Sequence, residues 1–338
     1  MEPHTTLKER LARAVRSATG GGRRLDAVER MRGGSKKGVY RLRLDDMTTQ
    51  VAYVWDEAEN YWPAADGDDD ITDPFSPGLG SGLFLAAHTR LEALGVRVPR
   101  LRHVDTAAEA AGGVDRTAPG ASGLVIVEDV RGETLQTLLG RDPHGAVEVM
   151  GRLRQALDAM GRHRAPAYGK VAVVEAGGRS RGTSCEAVVL DRALRDLAEA
   201  ASRLPEIDQD RERLDERLRT LRGAVPPRAE YGLVHGELGS DHVLVDTDGA
   251  PVLIDLEGCM YFDAEWEHDY LRLRFDEAYR HLHAEGLDEH RLTFYRLAQA
   301  LSLTAGPLRL LDGDFPDRAF MEGIAAHNAE RALSFARA

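Results

Sequence analysis

The stretch from Tyr231 to Asp269, YGLVHGELGSDHVLVDTDGAPVLIDLEGCMYFDAEWEHD, constrains the chain more than any other. A short apolar run, Leu233-Val234, ends at His235-Gly236-Glu237, and a polar loop, Leu238 to Asp241, leads to His242. Two β-branched runs follow, Val243-Leu244-Val245 and Val252-Leu253-Ile254, separated by a turn that contains Asp248-Gly249. Asp-Gly between apolar runs predicts a hairpin, because the turn needs positive φ and glycine supplies it cheaply. Pairing of the two strands brings Glu237, which precedes the first, close to Asp255, which follows the second. His235 and His242 fall in the same small volume. Like charges that close raise each other's pKa and cost stability unless a cation neutralises them. Carboxylates converging on strand ends are what a magnesium–nucleotide site needs, since magnesium takes oxygen ligands and keeps water and phosphate. A lone Asp-Gly hairpin with acidic caps would be an ordinary solvated turn. The whole arrangement points to chemistry.

The stretch resembles the catalytic segment of the aminoglycoside phosphotransferase family, whose fold is that of the protein kinases. That family shows His-Gly-Asp, four residues, Asn, a hairpin and Ile-Asp-Trp-Glu. Here the series is His235-Gly236-Glu237, four residues, His242, the hairpin and Ile254-Asp255-Leu256-Glu257. Phe262-Asp263-Ala264-Glu265-Trp266-Glu267 is loosely similar to the family's Gly-Asp-Pro-x-Tyr-Asp. The chain is thus a divergent member by pattern, with Glu237 where the family has Asp and His242 where it has Asn. The resemblance implies an α+β, protein-kinase-like two-lobe fold, with a small, mainly β N-terminal lobe and a large, mainly α C-terminal lobe.

Composition narrows the function from another side. The 338 residues are 43% hydrophobic and 30% charged, enough for two lobes with cores of their own. A formal net charge of −12 makes a poor polyanion binder and steers cationic substrates toward the chain, so no nucleic-acid partner is expected. The two cysteines, Cys185 and Cys259, have no zinc spacing and favour a reducing cytoplasm. The N-terminus lacks an apolar signal core, and no run approaches the ~20 apolar residues of a membrane helix, so no membrane partner is expected.

Upstream, Leu7 to Ser17 reads as an amphipathic helix. Val28 to Met31 starts a strand, and the loop Arg32-Gly33-Gly34-Ser35-Lys36-Lys37-Gly38 leads into the alternating Val39 to Leu44. Strand, glycine loop, strand is how kinase-type folds cover nucleotide phosphates: glycines let backbone N–H groups approach the anion and lysines add charge. On its own such a loop is an ordinary hairpin; ahead of the catalytic-type segment, Gly33, Gly34, Ser35, Lys36 and Lys37 become nucleotide-binding candidates. The next strand, Thr48 to Trp55, has no lysine, and the following helix, Leu83 to Leu94, has only Glu92, near its end. Both halves of the ion pair usual in the kinase fold are therefore missing, which is coherent because an unpaired buried charge is costly. Either Lys36 or Lys37 takes over the phosphate contact, or both are solvated. Residues 56–80 form an acidic insert, read as a solvated loop or as a lid that attracts a cationic substrate. After a polar loop, Thr106 to Ser122, the strand Leu124 to Val130 resembles the segment between lobes, which implies that backbone groups from Glu128 to Val130 bind the adenine edge and that Gly132 is the flexing point. The expected domains are 1–130, covering the nucleotide, and 131–338, carrying the catalytic hairpin.

The remainder reads as helices: Ala146 to His163, with Val147, Met150, Leu153, Leu157 and Met160 on one face; Val188 to Leu204; Asp210 to Leu221; Asp269 to Ala284; Leu287 to Leu303; and Phe320 to Phe335. Gly169 to Ser184 reads as irregular. The resemblance implies ATP and Mg2+, or Mn2+, as cofactors. It makes Asp255 a metal ligand and Glu257 a second acidic candidate, and puts His242 at a further ligand position. It makes Glu237 the group that accepts or aims the acceptor proton, with His235 organising the loop. The expected reaction is γ-phosphoryl transfer to a small-molecule hydroxyl. The alternatives are a kinase-like enzyme that modifies Ser/Thr of a precursor peptide with a partner protein, and a nucleotide-binding pseudokinase. Gly178-Arg179-Ser180-Arg181-Gly182 has the Gly-x-Ser-x-Gly spacing but lies in the stretch read as irregular, so a serine hydrolase is set aside, and no H-E-x-x-H supports a metal hydrolase.

Overall fold

A computed structural model describes residues 6–31, 33–64, 70–77, 80–106 and 123–337. Residues 65–69, 78 and 79 of the acidic insert and residues 107–122 of the polar loop therefore lie outside the described residues. The chain opens with α1 (Leu7–Ala18), started by a capping box in which the Thr6 and Glu9 side chains each accept a backbone N–H of the other residue. Then come β1 (Leu25–Arg30), β2 (Gly38–Leu44), β3 (Thr49–Trp55), α2 (Ser81–Ala93), β4 (Leu101–Thr106) and β5 (Gly123–Glu128). These strands form one antiparallel sheet in the order β1-β2-β3-β5-β4.

Alternation along β3 decides what each face meets. Ala52 and Val54 point with Leu42, Leu124 and Ile126 toward Leu11, Ala14 and Val15 of α1. Val51, Tyr53 and Trp55 point the other way, toward Phe84, Ala87 and Leu91 of α2. That second face belongs to an apolar core continuous with the helical part of the molecule.

The rest of the chain is α3 (Leu135–Arg141), α4 (Ala146–Arg162), β6 (Arg164–Ala165), β7 (Gly169–Lys170), α5 (Val171–Glu175), α6 (Cys185–Arg203), α7 (Pro205–Gln209), α8 (Arg211–Gly223), β8 (Tyr231–Val234), β9 (Val243–Val245), β10 (Pro251–Leu253), β11 (Met260–Phe262), α9 (Ala264–Phe275), α10 (Glu289–Leu310) and α11 (Arg318–Ala336). The hairpin forms as its sequence predicts, with Val243 opposite Leu253 and Val245 opposite Pro251. A small sheet, β6-β8-β11-β7, lies beside it.

Several expectations are corrected. Residues 169–184 are not wholly irregular: Gly169 and Lys170 pair with Tyr261 and Met260, and α5 follows. The helix expected from Asp269 starts at Ala264, which turns the segment after Phe262 from loop into first turn. Val147 is exposed, and Val149 joins Met150, Leu153 and Met160 in the core instead. Gly132, expected as the flexing point, lies against the hairpin. A Cβ there would stand 1.8 Å from the Val245 carbonyl oxygen, and the adjoining Glu133 carbonyl accepts the Val245 N–H at 2.9 Å, so the crossing segment is pinned to the hairpin. Cys185 and Cys259 are both buried free thiols. Among the described residues no helix is long and apolar enough to cross a membrane.

Candidate active site

β8 delivers His235-Gly236-Glu237 to the mouth of the hairpin. Gly236 has φ 96°, and a Cβ on it would lie 2.7 Å from the Gly258 carbonyl oxygen, so the close approach of the two loops requires glycine. Its N–H donates to Glu267 at 2.6 Å, and its carbonyl accepts the Trp266 indole N–H at 3.0 Å. The first turn of α9 thus clamps the loop. Burial pushes the Glu267 carboxyl up to about 7, against the pull of backbone N–H groups of Gly236, Leu238 and His235.

The two histidines stack, with ring centroids 6.0 Å apart. His235 is fully buried and its Nε2 lies 2.9 Å from the Ile254 carbonyl oxygen, an acceptor, so Nε2 carries the proton. Burial and then the neighbouring His242 hold its pKa below the ordinary value, which keeps the ring neutral. His242 Nδ1 donates to the Glu237 carbonyl oxygen at 3.1 Å. That leaves Nε2 facing Asp255 Oδ2 and Asp241 Oδ2, each at 3.8 Å. A ring nitrogen fixed in this tautomer by a carbonyl is the form that ligates metals.

Asp255 follows the hairpin with φ 64° and ψ 52°, a left-handed conformation that costs a non-glycine residue about 1–2 kcal/mol and is concentrated at functional sites. Its Oδ1 accepts from Lys37 Nζ at 2.6 Å, and the same ammonium donates to Glu257 Oε1 at 2.5 Å. Lys37 is 6% exposed and lies over the Tyr53 and Trp55 rings, at 5.3 and 5.9 Å from their centroids. Burial opposes its charge, but Asp255 and Glu257 outweigh burial and hold its pKa well above the lysine range. Asp255, despite its own desolvation, is held well below the carboxylate range by Lys37 and His242. Glu257 is pushed up by burial, and its Oε2 has no partner among the described residues.

The structure therefore gathers Lys37, His235, Glu237, His242, Asp255 and Glu257. The Glu237 carboxylate lies over Gly258, where a Cβ would come within 3.4 Å of its Oε1. Among the described residues no group of three or more His, Cys, Asp or Glu stands at metal-binding geometry. The other candidates sit apart. Gly34, with φ 75°, takes a turn in which a Cβ would lie 2.4 Å from the Lys37 carbonyl oxygen; Gly33 has φ 92°. Ser35 accepts the Trp62 indole N–H at 2.9 Å, and Lys36 lies over the same indole, 5.7 Å from its centroid. Glu128 spends its backbone N–H on the Arg100 carbonyl and its carboxylate on Arg97. Val130 is buried, and its backbone groups have no hydrogen-bond partner among the described residues.

Two features went unread in the sequence. Lys170, buried on β7, donates to the Glu257 carbonyl at 3.1 Å. Burial and the nearby Lys36 lower its pKa to about 8, with Glu237 pulling the other way. Its one signal is compositional: the chain has only four lysines, Lys8, Lys36, Lys37 and Lys170, against 44 basic residues, and two of the four touch Glu257. The second feature is the segment Asp70 to Pro77 of the insert, which is docked rather than solvated. Asp73 binds Arg181, and the Thr72 carbonyl accepts the Arg181 N–H at 2.9 Å. Phe75 packs on Trp266 at 4.8 Å and Phe262 at 5.6 Å, with the Arg192 guanidinium 4.6 Å from its ring centroid.

A model of the phosphotransferase enzyme family matches residues 82–268, more than half of the chain and all of the β9–β10 hairpin. Among solved structures, spectinomycin phosphotransferase APH(9)-Ia in complex with ADP and spectinomycin superposes with TM-score 0.62 at 12% identity, over 97% of this chain and 98% of that one. A thermostable mutant of aminoglycoside phosphotransferase APH(4)-Ia, in ternary complex with ADP and hygromycin B, gives TM-score 0.59 at 16% identity, over 95% and 98%. LicA in complex with AMP gives 0.57 at 11%, over 98% and 99%. At such identities the likeness establishes the α+β, kinase-like fold. No curated protein matches the sequence.

Proposed function

The chain belongs to the phosphotransferase enzyme family, and from that premise we propose that it moves the γ-phosphoryl group of ATP onto a hydroxyl of a small molecule, an antibiotic or similar natural product. One observation carries the reading: Asp255, held in a left-handed conformation, presents one carboxylate oxygen to Lys37 and the other to His242 Nε2, 3.8 Å away. A carboxylate oxygen and an imidazole nitrogen brought to one mouth of a hairpin are donor types that a divalent cation can share.

By donor type Asp255 and His242, with Glu257 as the second acidic group, would hold a divalent cation, which would draw them closer than they stand here. Magnesium would supply charge neutralisation at the bridging phosphate oxygens, and the imidazole also suits manganese. Gly33 and Gly34 free backbone N–H groups to cover the phosphates, Ser35 and Lys36 flank them, and Lys37 adds charge. Val130 offers its unpartnered backbone to the adenine edge, and Glu128 holds that segment in place through Arg97. Glu237 receives or aims the proton of the acceptor hydroxyl. His235 does not react; its N–H fixes the loop on Ile254. The relatives seen with hygromycin B and spectinomycin support an antibiotic-like acceptor, and a net charge of −12 favours a cationic one. We also propose 1–130 and 131–338 as the two lobes, in a reducing cytoplasm.

A second reading, nucleotide binding without turnover, draws on the aromatic pair Tyr53 and Trp55 that faces the cleft from β3, where a kinase fold carries its lysine. Thermal unfolding with ATP and magnesium separates the two readings when paired with assay of phosphorylated product on hydroxylated antibiotics. The expected result is stabilisation of the wild type, loss of that stabilisation in Asp255→Asn, and product only with the wild type. A wild type indifferent to ATP and magnesium would sink both readings.

A further inference from the structure

We propose that Lys37 is a tethered counterion of the metal site: its ammonium holds Asp255 and Glu257 together until nucleotide phosphates draw it away, so that divalent cation and nucleotide bind as one event. This rests on the phosphotransferase reading and adds to it an obligatory coupling between the two ligands. Lys37 Nζ sits between the two carboxylates at 2.6 and 2.5 Å, which is where the charge of a metal would otherwise act. Glu257 is buried and has a second oxygen without a partner among the described residues, so it has spare coordination that the lysine does not use. A dication arriving alone would meet the ammonium in a poorly solvated space, where like charges repel strongly. A triphosphate removes that obstacle by giving Lys37 oxygens of its own to hold.

Lys37 immediately precedes β2 on the glycine loop, so a side-chain swing toward the loop suffices. Ser35 keeps the loop backbone tied to Trp62 and to Tyr61 meanwhile. The Tyr53 and Trp55 rings flank the ammonium without competing for it by hydrogen bonding. The residue type agrees. In a chain whose cations are overwhelmingly arginine, this position keeps a compact, mobile point charge in place of a rigid fork.

Manganese binding without nucleotide, followed by electron paramagnetic resonance, tests the idea. Lys37→Met should bind Mn2+ at least about tenfold more tightly than wild type, because the competing charge is gone. A non-hydrolysable ATP analogue should narrow that gap. Because Lys37→Met leaves two carboxylates unneutralised, Glu257→Gln and the Lys37→Met/Glu257→Gln double variant provide a second comparison at lower charge. The double variant should again bind Mn2+ more tightly than Glu257→Gln alone. Equal Mn2+ affinities within both pairs, with manganese–nucleotide still bound, would overturn the counterion role and leave the phosphotransferase reading standing. Failure of the wild type to bind manganese even with nucleotide would remove that reading and the inference with it.

Discussion

Lys170 presents its ammonium to the Glu257 carbonyl and has no carboxylate at ion-pair distance among the described residues. Burial lowers its pKa from 10.5 to about 8. A lysine depressed in the folded state contributes stability only above its unfolded pKa, and that contribution is lost as pH falls through the folded value. At pH 7 its burial therefore costs on the order of 3 kcal/mol. Lys170→Met should raise folding stability at pH 7 by about 2–3 kcal/mol, with the gain fading toward pH 10.5, and should lower the transfer rate. Urea unfolding at the two pH values, beside initial rates, checks it; a destabilised Met variant at pH 7 would show that the charge is better solvated than its surroundings indicate. Glu237 calls for a different readout. Glu237→Gln should cut kcat by roughly 100-fold or more while ATP still stabilises the protein, as expected of a group that serves the acceptor proton and not the nucleotide. A parallel loss of ATP stabilisation would make Glu237 a nucleotide or metal contact instead.

The β9–β10 hairpin was legible because everything that makes it is local: β-branched runs, an Asp-Gly turn, and carboxylates at fixed offsets. Helix starts were less legible. Asp263 precedes α9, but its carboxylate is committed to Arg291 and Tyr295 and makes no cap hydrogen bond, so the usual start signal is missing. The docked segment Asp70 to Pro77 could not be read at all, since its partners Arg181, Arg192 and Trp266 stand far along the chain. By packing Phe75 on the same Trp266 that holds the Gly236 carbonyl, this segment bears on the catalytic loop. Phe75→Ala should therefore cost about 2 kcal/mol of stability and raise KM for the acceptor more than KM for ATP. Unchanged kinetics would reduce the segment to a structural strap. Gly132 makes the matching point for the crossing between β5 and α3. The Cβ added in Gly132→Ala would overlap the Val245 carbonyl, so the variant should lose about 3 kcal/mol and disturb Asp255 through β9 and β10.

Acid titration of the whole fold should show two buried groups working against each other. His268, packed against Tyr279 with Nδ1 3.1 Å from its hydroxyl, has its pKa lowered by burial from 6.5 to about 4. A base depressed in this way contributes stability that is present above pH 6.5 and is lost as pH falls through about 4. Glu267, raised by burial from 4.5 to about 7, has the opposite sign: its contribution is fully present below pH 4.5 and is lost as pH rises through about 7. Each shift corresponds to roughly 3 kcal/mol over its window, and the windows overlap between the ordinary carboxylate and histidine values. Wild-type stability should therefore change little across that interval, and single variants should uncover slopes of opposite direction. In Glu267→Gln, which keeps an acceptor for the Gly236 N–H, stability should fall as pH drops from 6.5 to 4.5. In His268→Gln it should rise over the same range, because only the carboxyl remains to take up a proton. The neutral, buried His235 adds to the first slope and offsets part of the second. Urea midpoints measured at half-unit steps decide the matter. Two variants that track the wild type in parallel would mean that neither group binds its proton differently in the folded and the unfolded chain, and the clamp that α9 places on the catalytic loop would then be indifferent to pH.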